Sequence, residues 1–391
     1  MPLAFVEGTT LDELQRLAEE RHPRLMVAMQ EIEAAHGRTW QAGRMPNPLI
    51  GASSPQLDGS DSQYNVFVSQ DIPTGGKLRL NEAAAAEEID QAELTLSRTR
   101  IDVLTAVRRQ FYAALIAQAR VKVLETQVAA ISRSVELVRK RFERAGEGTM
   151  ADVLLVQVEL HKAEAALAGA QTDLETQRRQ LAAALGIADY PLADLAGDLQ
   201  AEMPLPMLDQ LAQRVVSEHP QAAIAAVEVR RRQWLIDRAV AEPKPTFNFQ
   251  GGYQRQVDPP QDQGVLQLTM SVPLWDRNHG GIQAAEAEAM KAQAELARIE
   301  TELASQAATA ARRFAAAEQR VARYRDKVLP QGREALDWAL RLFDAGEIEF
   351  QTLLNAQRAA QDAQIQYLDA LSARWDAAIE IADLLQLEQF P

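Results

Sequence analysis

The chain has 391 residues, no cysteine and a formal net charge of −14, with a pI near 5.0. That balance makes nucleic acid a poor partner and attracts cations, while the absence of cysteine excludes disulfides, thiolate zinc sites and a thiol nucleophile without assigning a compartment. Residues are 47% hydrophobic but only 5% aromatic, and long runs of Ala, Leu, Glu, Gln and Arg point to long packed helices rather than a compact enzyme.

Residues 10–42 read as the first helix, with Leu11, Leu14, Leu17, Leu25, Met29 and Ile32 at mostly helical spacing. It closes at Gly43 before Met45-Pro46-Asn47-Pro48, which cannot continue a helix. A strand pair follows: a weak one near Leu49 to Gln56, then Tyr64, Val66 and Val68 set against Asn65, Phe67 and Ser69. Between Gly76 and Gly146 there is neither Gly nor Pro. One helix of roughly 70 residues, on the order of 100 Å, is therefore expected. It turns at Ala145-Gly146-Glu147 and returns as a helix over 150–185.

The order then recurs. Arg141-Phe142-Glu143-Arg144-Ala145-Gly146-Glu147 returns as Leu342-Phe343-Asp344-Ala345-Gly346-Glu347, His22-Pro23 as His219-Pro220, Ile72-Pro73 as Val272-Pro273 and Gly75-Gly76 as Gly280-Gly281. The second half has a helix over about 207–242, closed by Glu242-Pro243-Lys244-Pro245, and then two clearer strands. Phe247, Phe249, Gly251 and Tyr253 alternate with Asn248, Gln250, Gly252 and Gln254; Leu266, Leu268, Met270 and Val272 alternate with Val265, Gln267, Thr269 and Ser271. A long helix from Gly281, interrupted at Leu329-Pro330-Gln331-Gly332, resumes to Ala345 and returns over 349–388. The expected organisation is a tandem duplication. Residues 1–197 hold a helix, a β-hairpin at 48–72 and a helical hairpin at 76–186; residues 198–391 hold a helix, a β-hairpin at 246–273 and a helical hairpin at 281–388. Strands and helix tips fall at opposite ends of each repeat.

No run reaches the roughly 18 apolar residues of a membrane-spanning helix, but β-barrel strands are short, alternate, and leave no such peak. Met1-Pro2-Leu3-Ala4-Phe5 lacks the basic and apolar regions of an export signal, so an exported form would carry its signal, and any lipid-bearing cysteine, ahead of this chain. Four strands cannot close a barrel, and an open edge in lipid leaves backbone groups unpaired. Copies must combine; three give twelve strands and a wet lumen, which suits the Gln, Asn, Ser and Thr of the polar face. On the residues alone, a soluble coiled-coil scaffold with strands packed on its own core stands beside this duct.

The whole chain resembles the TolC family of outer membrane efflux ducts. Gln70-Asp71-Ile72-Pro73-Thr74-Gly75-Gly76-Lys77 and Pro273-Leu274-Trp275-Asp276-Arg277-Asn278-His279-Gly280-Gly281 resemble the segments entering the helices in its heavy-metal branch, the outer membrane components of cobalt, zinc, cadmium or copper pumps. The resemblance implies a mainly α chain with membrane β, assembled as a homotrimer with a 12-stranded β-barrel on a 12-helix α-barrel. It implies the outer membrane of a Gram-negative bacterium, with the helices in the periplasm, a periplasmic adaptor and an inner membrane RND-type pump as partners, and no cofactor. A duct for drugs or secreted polypeptides is the alternative within transport.

The tips are the candidate sites. Gly146 and Gly346 allow the left-handed backbone of a tight turn, and the resemblance implies that Ala145, Gly146, Glu147, Ala345, Gly346 and Glu347 dock the adaptor. Family members carry acids just beyond each tip; Asp152 matches, Thr352 and Asn355 do not, and Phe343 and Ile348 stand where aromatic and basic gate partners are usual. Glu147, Asp152, Glu347 and Glu349, repeated around an axis, make a cation-favouring ring or are solvated helix-end acids. The histidines, His22, His36, His161, His219 and His279, show no metal-site spacing, His22 and His219 fitting helix-ending turns. No phosphate loop, nucleophile elbow or metal-binding helix motif is present.

Overall fold

The structure, a computed structural model, describes residues 4–5, 7–56, 62–145, 149–187, 194–202 and 210–390. The first repeat runs β1 (Ala4–Phe5), α1 (Leu11–Arg21), α2 (Pro23–Ala42), β2 (Leu49–Gln56), β3 (Gln63–Pro73), α3 (Lys77–Ala145) and α4 (Met150–Ala184). The second runs β4 (Gly197–Asp198), α5 (Leu211–Glu218), α6 (Pro220–Ala241), β5 (Thr246–Gln256), β6 (Gln261–Met270), α7 (His279–Arg323), α8 (Leu329–Asp344) and α9 (Phe350–Leu384). The long helix over the Gly- and Pro-free stretch is continuous for 69 residues.

Three details depart from the sequence reading. Residues 10–42 form two helices, because His22 leaves the helix at φ −69°, ψ 124° and the following proline disfavours helical geometry in its predecessor. His219 does the same before Pro220 at φ −73°, ψ 128°. The expected interruption at Pro330 is absent; a π-helical turn at Tyr324–Val328 joins α7 to α8 without a break. The wider turn lies just ahead of Pro330, whose ring would clash with the carbonyl one turn back in a regular helix and whose missing N–H leaves that carbonyl without its donor. The two-residue strands β1 and β4, paired antiparallel, are also additional.

The chain divides into two compact units, each drawn from both repeats. The unit of residues 1–26, 98–219 and 302–391 is centred on Trp375, which is 1% exposed. Its ring stacks on Tyr112 at 3.7 Å and 14°, and its Nε1 donates to the Leu199 carbonyl at 3.0 Å. Arg108 is fully buried beside it and donates to the carbonyls of Leu387 and Glu388, so its guanidinium meets carbonyl oxygens instead of water; burial pulls it down to about 10.

The unit of residues 27–97 and 220–301 contains a four-stranded antiparallel sheet in the order β2-β3-β5-β6. Its register aligns the alternation of β3, β5 and β6 throughout, and that of β2 up to an irregularity between Ser53 and Gln56. Val66 pairs with Tyr253, Ile72 with Phe247, Phe249 with Leu268 and Ile50 with Val68, putting these on one face. Asn65 pairs with Gln254, Ser69 with Gln250 and Gln250 with Gln267 on the other. The apolar face is bare: Ile50 is 79% exposed, Leu266 78% and Leu268 66%.

Candidate functional site at the helix tips

The second tip is held by its backbone. At the end of α8, Gly346 adopts φ 75°, its N–H donating to the Phe343 carbonyl at 3.0 Å and the Glu347 N–H to Leu342 at 2.9 Å. These two bonds form a Schellman motif, which satisfies carbonyls a helix end leaves open and requires a left-handed residue at this position. Ala345, Gly346, Glu347 and Glu349 are exposed around it. Glu349 then caps α9 from an extended backbone but makes no side-chain cap bond; Thr352 and Asn355 lie exposed on the first turns of that helix.

In the first repeat, the start of the return helix differs from its counterpart. Ala145 ends α3, and Gly146 and Glu147 lie outside the described residues. On the return side, Asp152 accepts from the Thr149 N–H and from the Thr149 hydroxyl, each at 2.9 Å, while the Asp152 N–H donates back to Thr149 Oγ1 at 3.3 Å. This is a capping box, so the carboxylate singled out for a gate also closes the start of α4. The repeats exchange the two chemistries: Thr and Asp at 149 and 152, Glu and Thr at 349 and 352.

Phe343 does not face the solvent. It is 5% exposed and packs with Ile131, Val138, Val153, Val156, Phe350, Leu353 and Leu354, its ring centroid 6.1 Å from that of Phe350. Ile348 packs at the margin of this cluster. Over the Phe343 ring, at 4.4 Å, lies the guanidinium of Arg141, whose Nη2 donates to the carbonyls of Phe343 at 2.7 Å and Asp344 at 3.0 Å. A cation there meets the negative end of α8. Arg141, Asp152, Phe343, Gly346 and Glu349 line a cavity of about 500 Å³.

A second cross-link escapes sequence reasoning. Arg358 on α9 donates to Glu159 on α4 at 2.5 Å, and Lys162 adds a contact at 3.0 Å. Arg358 holds the Glu159 carboxyl below its ordinary value, and the pair ties the return helices together from positions 199 apart. No local pattern announces such a pair. Among the described residues, no three His, Asp or Glu side chains gather as a metal site. His22 and His219 are buried, and His161 sits 3.1 Å from Glu164 on an exposed helix face.

In each repeat, one-sided strands run on into a long helical hairpin. Residues 14–187 and 211–385 match the family model described as Outer membrane efflux protein, and the chain belongs to that family. It is 29% identical over 382 residues to the cobalt-zinc-cadmium resistance protein CzcC of Cupriavidus metallidurans, covering 96% of this chain and 90% of that protein. It is 24% identical over 275 residues to the nickel-cobalt-cadmium resistance protein NccC of Alcaligenes xylosoxydans xylosoxydans, covering 67% of this chain and 60% of that protein. The fold superimposes on the solved structure of CusC with a TM-score of 0.82 at 15% identity, over 98% of this chain and 93% of that one. The resemblance read from the sequence and these matches agree on the family.

Proposed function

We propose that this chain is the outer membrane duct of a tripartite efflux system, three copies forming one channel. The observation that carries this reading is the sheet: one face apolar and bare, the other polar, with β2 and β6 each paired on one side only. In lipid those edges need partners, and β6 of one copy beside β2 of the next supplies them without leaving an edge. Twelve strands close on a lumen lined by the polar face, in the outer membrane, with the helices in the periplasm. The names of CzcC and NccC favour heavy-metal cations as cargo. Ala145, Gly146, Glu147, Ala345, Gly346 and Glu347 dock a periplasmic adaptor linked to an inner membrane RND-type pump. Glu147, Asp152, Glu347 and Glu349 ring the constriction, with Phe343 packed behind it and Thr352 and Asn355 in place of further acids. The channel is passive and its energy comes from the pump.

The purified protein in detergent should have the mass of three chains plus micelle; a monomer or dimer ends the reading. Deletion should sensitise cells to metal salts. Sensitisation to antibiotics and detergents without metals would assign the duct to drugs instead.

A further inference from the structure

The polar face of the sheet is almost free of charge. From the register, its levels across β3, β5 and β6 are Gln63, Gln256 and Gln261; Asn65, Gln254 and Gln263; Phe67, Gly252 and Val265; Ser69, Gln250 and Gln267; and Asp71, Asn248 and Thr269. Carboxamides dominate the first, second and fourth levels, the third is apolar, and the fifth sets Asp71 beside Asn248 and Thr269. Several are held by one another: Gln254 donates to Gln63 at 2.8 Å and Asn248 to Asp71 at 2.7 Å. Asp71 is the single ionisable side chain on this face among the described strand residues. At the helix end of the strands Lys77 is 7% exposed and faces Glu242 at 3.9 Å, and Lys244 lies against Gly75. Arg255 pairs across the strands with Asp262 on the opposite face.

A carboxamide offers an oxygen to a cation and an N–H to an anion, so a wall of them wets an ion path without favouring either sign. It also holds no ion tightly, as conduction requires. A carboxylate differs in carrying a full charge that water screens only partly within a Debye length. We propose that Asp71, one per copy at the helix end of the strands, is the residue that sets charge selectivity in the β-barrel, the carboxamide levels above it forming a neutral path for small hydrated ions. The inference rests on the trimeric barrel proposed above, which turns this face toward the lumen.

Because the chain has no cysteine, a single introduced thiol reports its own surroundings. Gln250→Cys lies two residues along β5 from Asn248, the partner of Asp71, and Gln254→Cys six, roughly 7 and 20 Å at strand spacing. Each would be reacted, in the full-length protein in liposomes, with a cationic and an anionic methanethiosulfonate reagent of similar size. The cationic-to-anionic rate ratio should be about fivefold higher at Gln250→Cys than at Gln254→Cys in low salt, and should level in 1 M KCl. Asp71→Asn, which keeps an acceptor for Asn248, should remove the difference. Equal ratios at the two positions in low salt, or a difference indifferent to Asp71→Asn and to salt, overturns the proposal. If Gln250→Cys is reached by neither reagent while Phe249→Cys is reached by both, the barrel reading itself fails.

Discussion

The two repeats trace the same turns with different residues. The return helices α4 and α9 both end in a Schellman motif: Ile187 N–H donates to Ala182 at 3.2 Å and Leu387 N–H to Ala382 at 2.9 Å. The left-handed residue is Gly186 at φ 75° in one and Gln386 at φ 55° in the other. The helix starts differ as well, a full capping box at Thr149 against a Glu349 whose side chain caps nothing. Backbone hydrogen bonding thus carries the repeat, while side chains at equivalent positions have diverged, and the divergence identifies which half depends on packing and which on caps.

The sharpest way to break this comparison is at the tips. Phe343 is buried where the first repeat has Glu143, an exposed residue that pairs with Arg139 at 2.9 Å. Phe343→Ala should cost about 3–5 kcal/mol through the cavity it leaves, whereas Glu143→Ala should cost no more than about 0.5 kcal/mol. Hydrogen exchange of the α8 and α9 amides for the first variant and of the α3 and α4 amides for the second would measure both, and equal loss of protection would show that the two hairpins share one packing scheme.

A smaller contrast lies in the histidines that end α1 and α5. Burial lowers both from 6.5, with Arg24 assisting at His22 and Arg98 at His219, and His219 falls to about 4. Each is neutral in the fold, so the unfolded chain takes up the proton first. Stability from His219 is intact above pH 6.5 and is lost as pH falls from 6.5 through about 4, to an extent on the order of a few kcal/mol. His219→Gln should flatten the pH dependence of thermal unfolding over that window more than His22→Gln does; the reverse order would mean that the His22 turn is the drier one.

What single-sequence reasoning reads well here is whatever repeats locally. The strand alternation is legible because apolar and polar side chains fall on opposite faces of a period-2 chain, and the Ala345-Gly346 turn because a left-handed residue is nearly confined to glycine. Gln386 breaks that second rule and is correspondingly invisible. The break at His22–Pro23 follows from proline sterics and shows in the His-Pro pair as a helix-ending turn, although the helical spacing on either side reads through it. The π-turn before Pro330 is a tertiary accommodation with no signature of its own, and two-residue strands such as β1 are too short to show a period. Arg141 over Phe343 and the Glu159–Arg358 pair join positions about 200 residues apart. The tip can therefore be located from sequence, while the contacts that hold it need the fold.

The left-handed positions offer a reciprocal test. At Gly186 an added Cβ would lie 2.7 Å from Pro23 Cδ and 3.2 Å from the His22 ring, so Gly186→Ala combines a backbone penalty with crowding. A loss of about 1–3 kcal/mol is expected. Gln386→Gly should instead gain up to about 1 kcal/mol by relieving the left-handed side chain, less the bond its Nε2 donates to the Asp383 carbonyl at 2.6 Å. Thermal unfolding of both variants decides it, and destabilisation by Gln386→Gly would show that this bond outweighs the strain.

The smallest effect is at the helix starts, where the chemistry can be moved from one repeat to the other. Thr149→Ala removes the acceptor for the Asp152 N–H and should cost α4 about 1 kcal/mol. Glu349 already has the extended backbone of an N-cap, φ −73° and ψ 153°, and lacks only a short acceptor. Glu349→Ser should supply one to the N–H groups of the first turn and gain about 0.5–1 kcal/mol in α9, although it removes an acid near a helix N-terminus that contributes a few tenths in the other direction. Exchange protection at Gln351 and Thr352 is the readout. A gain there with unchanged metal resistance would separate the capping of the second tip from any role of Glu349 in the pore; a gain accompanied by lost resistance would place that carboxylate in the transport path.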